Sequence, residues 1–356
     1  MKYWTILVIT TLLVSCQQQT SEDQKPGKYQ LQTVIDFADK FEVADNKLIV
    51  NEPWPGAVKP KKYVVDEVPE RIIVTSTTHL PYLELLGVED KLVGFPNTIY
   101  ISSQKIQQLV KEGKVKDLGP DGNLNLEVVI ALQPDAVIAF DMGSESSSLD
   151  KIAEAGIPIY YNADFLESSA LGRAEWIKFF GALFQREARA DSIFNQISTA
   201  YDSLKNLAAT VDQKPTILSG VLYGDVWYLP GGQNWASGFF QDAGGQYLWG
   251  NDSTGGWLEL SFESVFDKAR NADYWIGTST FNTKQELKGQ DARYADFKAY
   301  SQNQVYNYSK RLNDFSSYDF FESGYSRPDL VLADIIKILH PELLPDYETY
   351  YYEKLP

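Results

Sequence analysis

The stretch "QREARADSIFNQISTAYDSLKNLAA" constrains the fold more than any other part of this 356-residue chain. From Arg186 to Ala209 nothing interrupts a helix, and Ala190, Phe194, Ile197, Tyr201 and Leu204 form an apolar stripe at spacings of three and four. At ~1.5 Å rise per residue such a helix spans roughly 36 Å, about the diameter of a domain. An element of that length in mid-chain is expected to join two bodies rather than lie inside one. On either side of it, short apolar runs alternate with helical segments: "RIIVTS", "KLVGF", "DAVIAF" and "IPIYY" before it, "PTILSG" and "DYWIGT" after it. Continuous β-branched runs of this kind read as strands buried on both faces, and the intervening helices imply a parallel, helix-covered sheet. The expected fold is therefore α/β, with two lobes, each a helix-covered and mostly parallel sheet, joined by one long α-helix. The expected limits are 71–167 for the N-terminal lobe, 168–209 for the helical linker and 210–356 for the C-terminal lobe. Within the linker, "SSALGRAEWIKFFGALF" is expected to form one helix ahead of the long one.

One pattern occurs twice. "NLNLEVVIALQPDAVIAF" runs from Asn123 to Phe140, and "SFESVFDKARNADYWIG" runs from Ser261 to Gly277. Laying Asn125 over Ser261 aligns a helix-capping residue, a large apolar residue and a glutamate, Glu127 or Glu263. Both segments continue with about two helical turns, an aspartate (Asp135, Asp273) and an apolar run. The repetition marks equivalent corners of two similarly built lobes. A carboxylate in the first turn of a helix is also sound helix chemistry, worth roughly 0.3–1 kcal/mol against the helix dipole. That accounts for either glutamate alone but does not favour the same offset in both lobes.

The opening MKYWTILVITTLLVSC has one Lys, an apolar run from Ile6 to Val14, and then Ser15-Cys16. This is a secretory leader, too short to span a bilayer comfortably. Residues 1–15 are expected to be a signal peptide, and 16–70 a lipidated Cys16, a polar tether and an N-terminal extension. Cys16 is the only cysteine, so the chain has no internal disulfide, and anchoring is its natural use. The net charge of −16 excludes a nucleic-acid binder, which needs a basic face, and suits docking onto a basic partner.

These segments together resemble the ABC-importer periplasmic substrate-binding proteins of the helical-linker class (class III), the iron-siderophore and vitamin B12 type. "RIIVTSTTHLPYLELLGVEDKLVG" looks like that family's opening strand, turn and first helix. "GNLNLEVVIALQPDAVIA" is similar to its most recognisable segment, and "WLELSFESV" and "RPDLVLADIIKILHPELLP" to its C-terminal lobe. The resemblance covers about residues 50–356. It implies a ligand cleft between the lobes, no bond chemistry, a leader ending in a lipobox at Cys16, and a periplasmic location with a lipid anchor as the only membrane attachment. It further implies that Glu127 and Glu263 pair with arginines of an ABC permease dimer, itself served by ATPase subunits. The protein is expected to act as a monomer without a cofactor.

Ligands of open α/β sheets sit at the carboxyl ends of the strands. The loops expected there contain Thr77, Thr78, His79, Tyr100 and Phe140 in the first lobe, and Trp227, Trp257, Tyr325 and Arg327 in the second. Aromatic, hydroxyl and amide groups dominate, with one Arg and no Lys. That composition suits a bulky, partly apolar metal complex, neutral or cationic: a ferric hydroxamate siderophore or a corrinoid. A strongly anionic chelate would call for several cations. Trp257 matches a ligand-stacking tryptophan of the corrinoid-binding relatives. His79 and His340 are the only histidines; one near the cleft does not make a site for a bare zinc or manganese ion, so no metal is held directly. His340, just past the last helix, reads as structural. An exported hydrolase is the remote alternative. "STTH" brings Ser76 and His79 into one turn, but no nucleophile elbow accompanies them and no cysteine follows the anchor. An adhesion or scavenging lipoprotein without an importer is a further alternative.

Overall fold

The computed structural model describes residues 31, 33–44, 46–143 and 148–356. The leader, Cys16 and most of the tether lie outside the described residues. Two five-stranded sheets carry the architecture. In the N-terminal lobe the order is Lys116–Asp117, Leu92–Phe95, Ile72–Val74, Ala136–Ala139, Ile159–Tyr161, parallel throughout. Its apolar runs do not alternate with polar residues because both faces are covered. Ile72, Val74, Ala136 and Ile138 enter one core, while Ile73, Val137 and Ala139 enter a smaller one on the opposite face.

In the C-terminal lobe the order is Gln246–Tyr247, Thr216–Leu218, Tyr274–Ile276, Val305–Asn307, closed by the antiparallel edge strand Glu353–Lys354. A second, antiparallel sheet of Val221–Tyr223, Val226–Pro230 and Trp257–Leu260 stands beside it. The core between them is an aromatic cluster in which Trp227 stacks on Trp275 at 5.5 Å, with Tyr294 and Phe297 edge-on or tilted against both.

The duplicated pattern has a structural half that the sequence does not announce. Each aspartate clasps the starts of two neighbouring strands. Asp135 accepts hydrogen bonds from the backbone N–H of Glu70 and Arg71, both at 2.9 Å, just ahead of Ile72–Val74. Asp273 accepts from the Thr216 N–H (2.8 Å) and hydroxyl (2.7 Å) at the matching corner. Burial opposes ionisation of Asp273, but the Lys298 ammonium at 2.6 Å and the Thr216 donors hold it below the usual carboxylate range.

The long helix is Glu187–Ala208, with Ala190, Phe194, Ile197 and Tyr201 buried and Leu204 half-buried. Ala190 and Phe194 belong to the N-terminal core, Tyr201 and Ala208 to the C-terminal one, so a single rod is fixed into both. One expectation needs correction. The segment before the rod is two helices, Ala170–Glu175 and Ile177–Leu183, meeting at Trp176, whose indole N–H donates to Glu167 Oε1 and whose ring packs on Phe41 at 4.5 Å. The N-terminal extension, to which the sequence assigns no structure, is folded within the described residues. Phe41–Ala44, Lys47–Val50 and Lys61–Val64 form an antiparallel sheet that contributes Phe41, Leu48 and Val50 to the first core. Among the described residues, no helix is long and apolar enough to cross a membrane.

Candidate functional site

The carboxyl ends of the C-terminal lobe's parallel strands face a cavity of about 990 Å³, to which the chain before the long helix adds Phe165 and Arg173. After Thr216–Leu218 the backbone turns at Gly220 (φ +79°), where a Cβ would lie 1.9 Å from the Tyr228 carbonyl, so only glycine fits. After Tyr274–Ile276 it turns at Gly277 (φ +85°) toward Phe281. The walls are aromatic: Tyr223, Tyr228, Trp235, Trp257, Phe281, Tyr308, Phe320, Phe321 and Tyr325 from the C-terminal lobe, and Phe165 from the other.

Among the described residues, Arg173 is the sole charged one lining the cavity. It is buried; its Nε donates to the Glu167 carbonyl (3.1 Å) and its Nη2 to the Phe165 carbonyl (2.7 Å). Its guanidinium lies 4.4 Å from the Trp235 ring centre and 4.7 Å from that of Tyr325, a packing that retains a cation among rings. Beneath it Asp164 is fully enclosed with one carboxylate oxygen unpartnered. Burial pushes its carboxyl up to about 6, against the pull of Arg173 and the Thr78 hydroxyl. Burial likewise raises the Tyr325 phenol, which the nearby arginine partly offsets. The arrangement offers a large aromatic bowl with one cation in its wall. Among the described residues no group of three or more His, Cys, Asp and Glu could hold a metal ion.

Of the residues read from the sequence as cleft-lining, the structure brings Trp257 and Tyr325 into this cavity. The others stand elsewhere. Trp227 is fully buried in the C-terminal core, its indole N–H donating to the Ser219 carbonyl at 3.1 Å. Along Val226–Pro230 side chains alternate, so Trp227 and Leu229 point to the core while Tyr228 faces the cavity. His79 is also a core residue, 5.8 Å from the Phe180 ring, with neither nitrogen hydrogen-bonded. Burial lowers it to about 3, so it is neutral. Thr77 and Thr78 share its 3₁₀ turn; Thr78 is buried with its hydroxyl 2.9 Å from that of Ser76. Phe140 sits behind the wall, edge-on to Phe165 at 6.0 Å. Tyr100 is half exposed at the seam between lobes, its carbonyl accepting from the Ser317 hydroxyl at 3.0 Å. Arg327 is occupied by Asp329 at 2.9 and 2.7 Å and faces a different groove. Sequence reasoning missed Arg173, one of three charged residues (with Glu175 and Lys178) in the aromatic-rich "ALGRAEWIKFF", and Phe320–Phe321 on the short helix Asp319–Ser323.

Glu127 and Glu263 are both exposed, each second in its helix, Leu126–Leu132 or Phe262–Ala269. Asn125 and Ser261 cap those helices through the N–H of Val128 (3.2 Å) and Ser264 (3.2 Å). Each helix leads into a parallel strand, so its N-terminus lies at the carboxyl edge of its sheet. The copies are not identical: Arg293 approaches Glu263 at 3.3 Å while bound mainly to Asp291 at 2.7 Å. His340 ends the helix Pro328–Leu339, buried, with Nε2 3.3 Å from the Gly244 carbonyl.

This architecture is shared with known proteins. An uncharacterized lipoprotein of Methanocaldococcus jannaschii is 26% identical over 341 residues, covering 92% of this chain and 79% of its own length. A vitamin B12-binding protein of Vibrio parahaemolyticus is 24% identical over 212 residues, 58% of this chain and 70% of that one. A crystal structure described as a possible iron-binding, periplasmic solute-binding protein from Staphylococcus epidermidis superimposes with a TM-score of 0.60 at 20% identity, over 77% of this chain and all of that chain. The periplasmic binding protein family model matches residues 72–312. With that match over most of the chain and two α/β lobes fixed to one helix, the protein belongs to the periplasmic binding protein family, as a substrate-binding protein of the ABC-importer type.

Proposed function

We propose that this protein is the lipid-anchored substrate-binding component of an ABC importer for a ferric siderophore of the hydroxamate type, or a similar iron complex. The observation that carries this reading is the aromatic cavity with Arg173 as its one cation. At about 990 Å³ it lies at the upper end of small-molecule sites, large enough for a folded chelate rather than an amino acid or sugar. Catecholate and citrate chelates carry several negative charges and would leave most of them unpaired here. A neutral or singly charged complex does not. Phe165, Trp235, Trp257 and Tyr325 take up its apolar surface, Arg173 one polar acceptor. The cluster of residues named from the sequence changes accordingly, but the balance of one cation to many rings is the same.

The second reading is a corrinoid. Trp257, 58% exposed at the cavity rim, offers a flat face to a macrocycle, and one relative is a vitamin B12-binding protein. In either case Glu127 and Glu263 place the loaded protein on a permease dimer, and Cys16 holds it by lipid at the periplasmic face of a membrane. The protein works as a monomer; binding and release are its whole chemistry.

The test is direct. Protein isolated from its own host is examined by visible spectroscopy, then stripped and titrated with ferrioxamine B and with cyanocobalamin while tryptophan fluorescence is followed. The proposal expects a ferric hydroxamate band and saturable quenching by ferrioxamine B. Quenching by cyanocobalamin alone moves the assignment to the corrinoid, and quenching by neither overturns both.

A further inference from the structure

The short helix Asp319–Ser323 divides two cavities along the seam between the lobes. Phe320 and Phe321 line the aromatic one; Asp319, Glu322 and Ser323 line a polar groove of about 1070 Å³ whose opposite wall includes Ser102 and Ser103 of the N-terminal lobe. Glu322 is 2% exposed. Its carboxylate crosses the seam: Oε2 accepts from the Ser102 N–H at 2.5 Å and Oε1 from the Ser103 N–H at 2.8 Å. The two partners begin the helix Gln104–Lys111, whose N-cap is Ser103. Nearby, Asn313 Nδ2 donates to the carbonyls of Ile99 (2.8 Å) and Ile101 (2.9 Å). A continuous strip of the C-terminal lobe is thus bonded to residues 99–103 of the other lobe.

We infer that Glu322 is a positioning residue, a latch that fixes the spacing of the two lobes and with it the aromatic wall of the cavity. A buried carboxylate is tolerated only where donors satisfy it. Here both backbone donors come from the opposite lobe, and no cation pairs with it among the described residues. The like-charged Glu84 and Asp319 stand near it, and burial raises its carboxyl. The group is therefore satisfied at one lobe separation and must take up water at any wider one. Phe320 and Phe321 precede Glu322 on the same helical turn, so movement of the latch is movement of the cavity wall. Loss of the latch leaves the lobes held by the long helix, by packing of Asp319–Ser323 on Thr77–Leu86, by Arg173 against Trp235 and Tyr325, and by the Asn313 and Ser317 contacts.

The test uses the full chain with E322A, E322Q and, as a control, D334N. Asp334 is equally buried, but its carboxylate accepts only from Tyr347, Tyr350, Tyr351 and Tyr352 of its own lobe. Without any ligand, E322A is expected to raise amide exchange across residues 99–106 tenfold or more and to enlarge the radius of gyration. With ferrioxamine B or cyanocobalamin, whichever binds, it should speed dissociation about fivefold or more. E322Q, which keeps one acceptor oxygen, should fall between, and it keeps the test decisive if E322A does not fold. D334N should lower the melting temperature without either seam effect. Unchanged exchange at Ser102 and Ser103 with an unchanged radius overturns the latch, as does D334N reproducing both effects. Exchange and radius decide the latch whether or not a probe binds; failure of both probes counts against the ligand reading alone.

Discussion

Trp257 and Trp227 show how much a single position decides. Trp257 is more than half exposed at the rim of the cavity, so a ligand that stacks on it removes that surface from water. Trp257→Ala is expected to weaken binding roughly tenfold, about 1.4 kcal/mol, in a fluorescence titration, leaving the melting temperature nearly unchanged. Trp227→Ala should instead cost about 3–5 kcal/mol of stability because its indole fills the core. As letters in cleft-side loops the two are indistinguishable; Trp227 lies instead within the strand Val226–Pro230, where alternation turns it to the core and its neighbour Tyr228 to the cavity. His79 was misplaced for a related reason. It lies in the loop that follows the first strand, but that loop folds into a 3₁₀ turn directed inward. Its position carries a pH signature. The folded-state value of about 3 lies below the ordinary 6.5, so the unfolded chain binds the proton first as pH falls. Stability should then decline by up to about 1.4 kcal/mol per pH unit below 6.5 on this account alone. In paired denaturant melts, His79→Leu should lose about 2 kcal/mol less than the unaltered protein between pH 7.5 and pH 5, roughly the proton-uptake contribution.

Among the elements, the pair of helices ahead of the long rod has most to do. Arg173 faces the cavity, while Glu175, two residues on and fully buried, accepts from the N–H groups of Asp36, Phe37 and Ala38 and from the Lys178 ammonium at 2.9 Å. Glu167 receives Asp39 and Lys40 in the same way. The chain leaving the tether is thus strapped onto the helix that supplies the cavity's cation. Glu175→Ala leaves three N–H groups without their acceptor and Lys178 with only the Val34 carbonyl (2.7 Å) and Asp191 (3.8 Å), and should cost about 3–5 kcal/mol in chemical denaturation with faster amide exchange at residues 36–40. None of this was legible in the sequence, because the segment from Leu31 to Lys40 has no periodicity of its own and is ordered by distant carboxylates. The long helix, by contrast, was legible to within a residue at each end, since its stripe, length and lack of breakers all agree. Six of the parallel strands were legible from their apolar runs, whereas the short strands Lys116–Asp117, Gln246–Tyr247 and Val305–Asn307 carry no such run and were not. The Trp176 break was not: its cause is a tertiary contact with Phe41 and Glu167.

At the scale of the whole molecule, one helix embedded in both cores makes large hinge motion costly. Small-angle scattering should show little change in radius of gyration when the unaltered protein takes up its ligand. On the docking proposed above, the duplicated corners give that rigidity a use: a glutamate at the carboxyl edge of each lobe, with an aspartate clasp behind each one, would present two anchor points on a fixed frame. The claim that these corners dock the protein onto a transporter is tested most directly by import. Cells carrying Glu127→Lys together with Glu263→Lys are assayed for uptake of the chelate that the binding titration identifies, alongside affinity measured on the purified variant. The account predicts unaltered affinity with uptake reduced to background, each single reversal falling between. Uptake at the unaltered level by the double variant would contradict it.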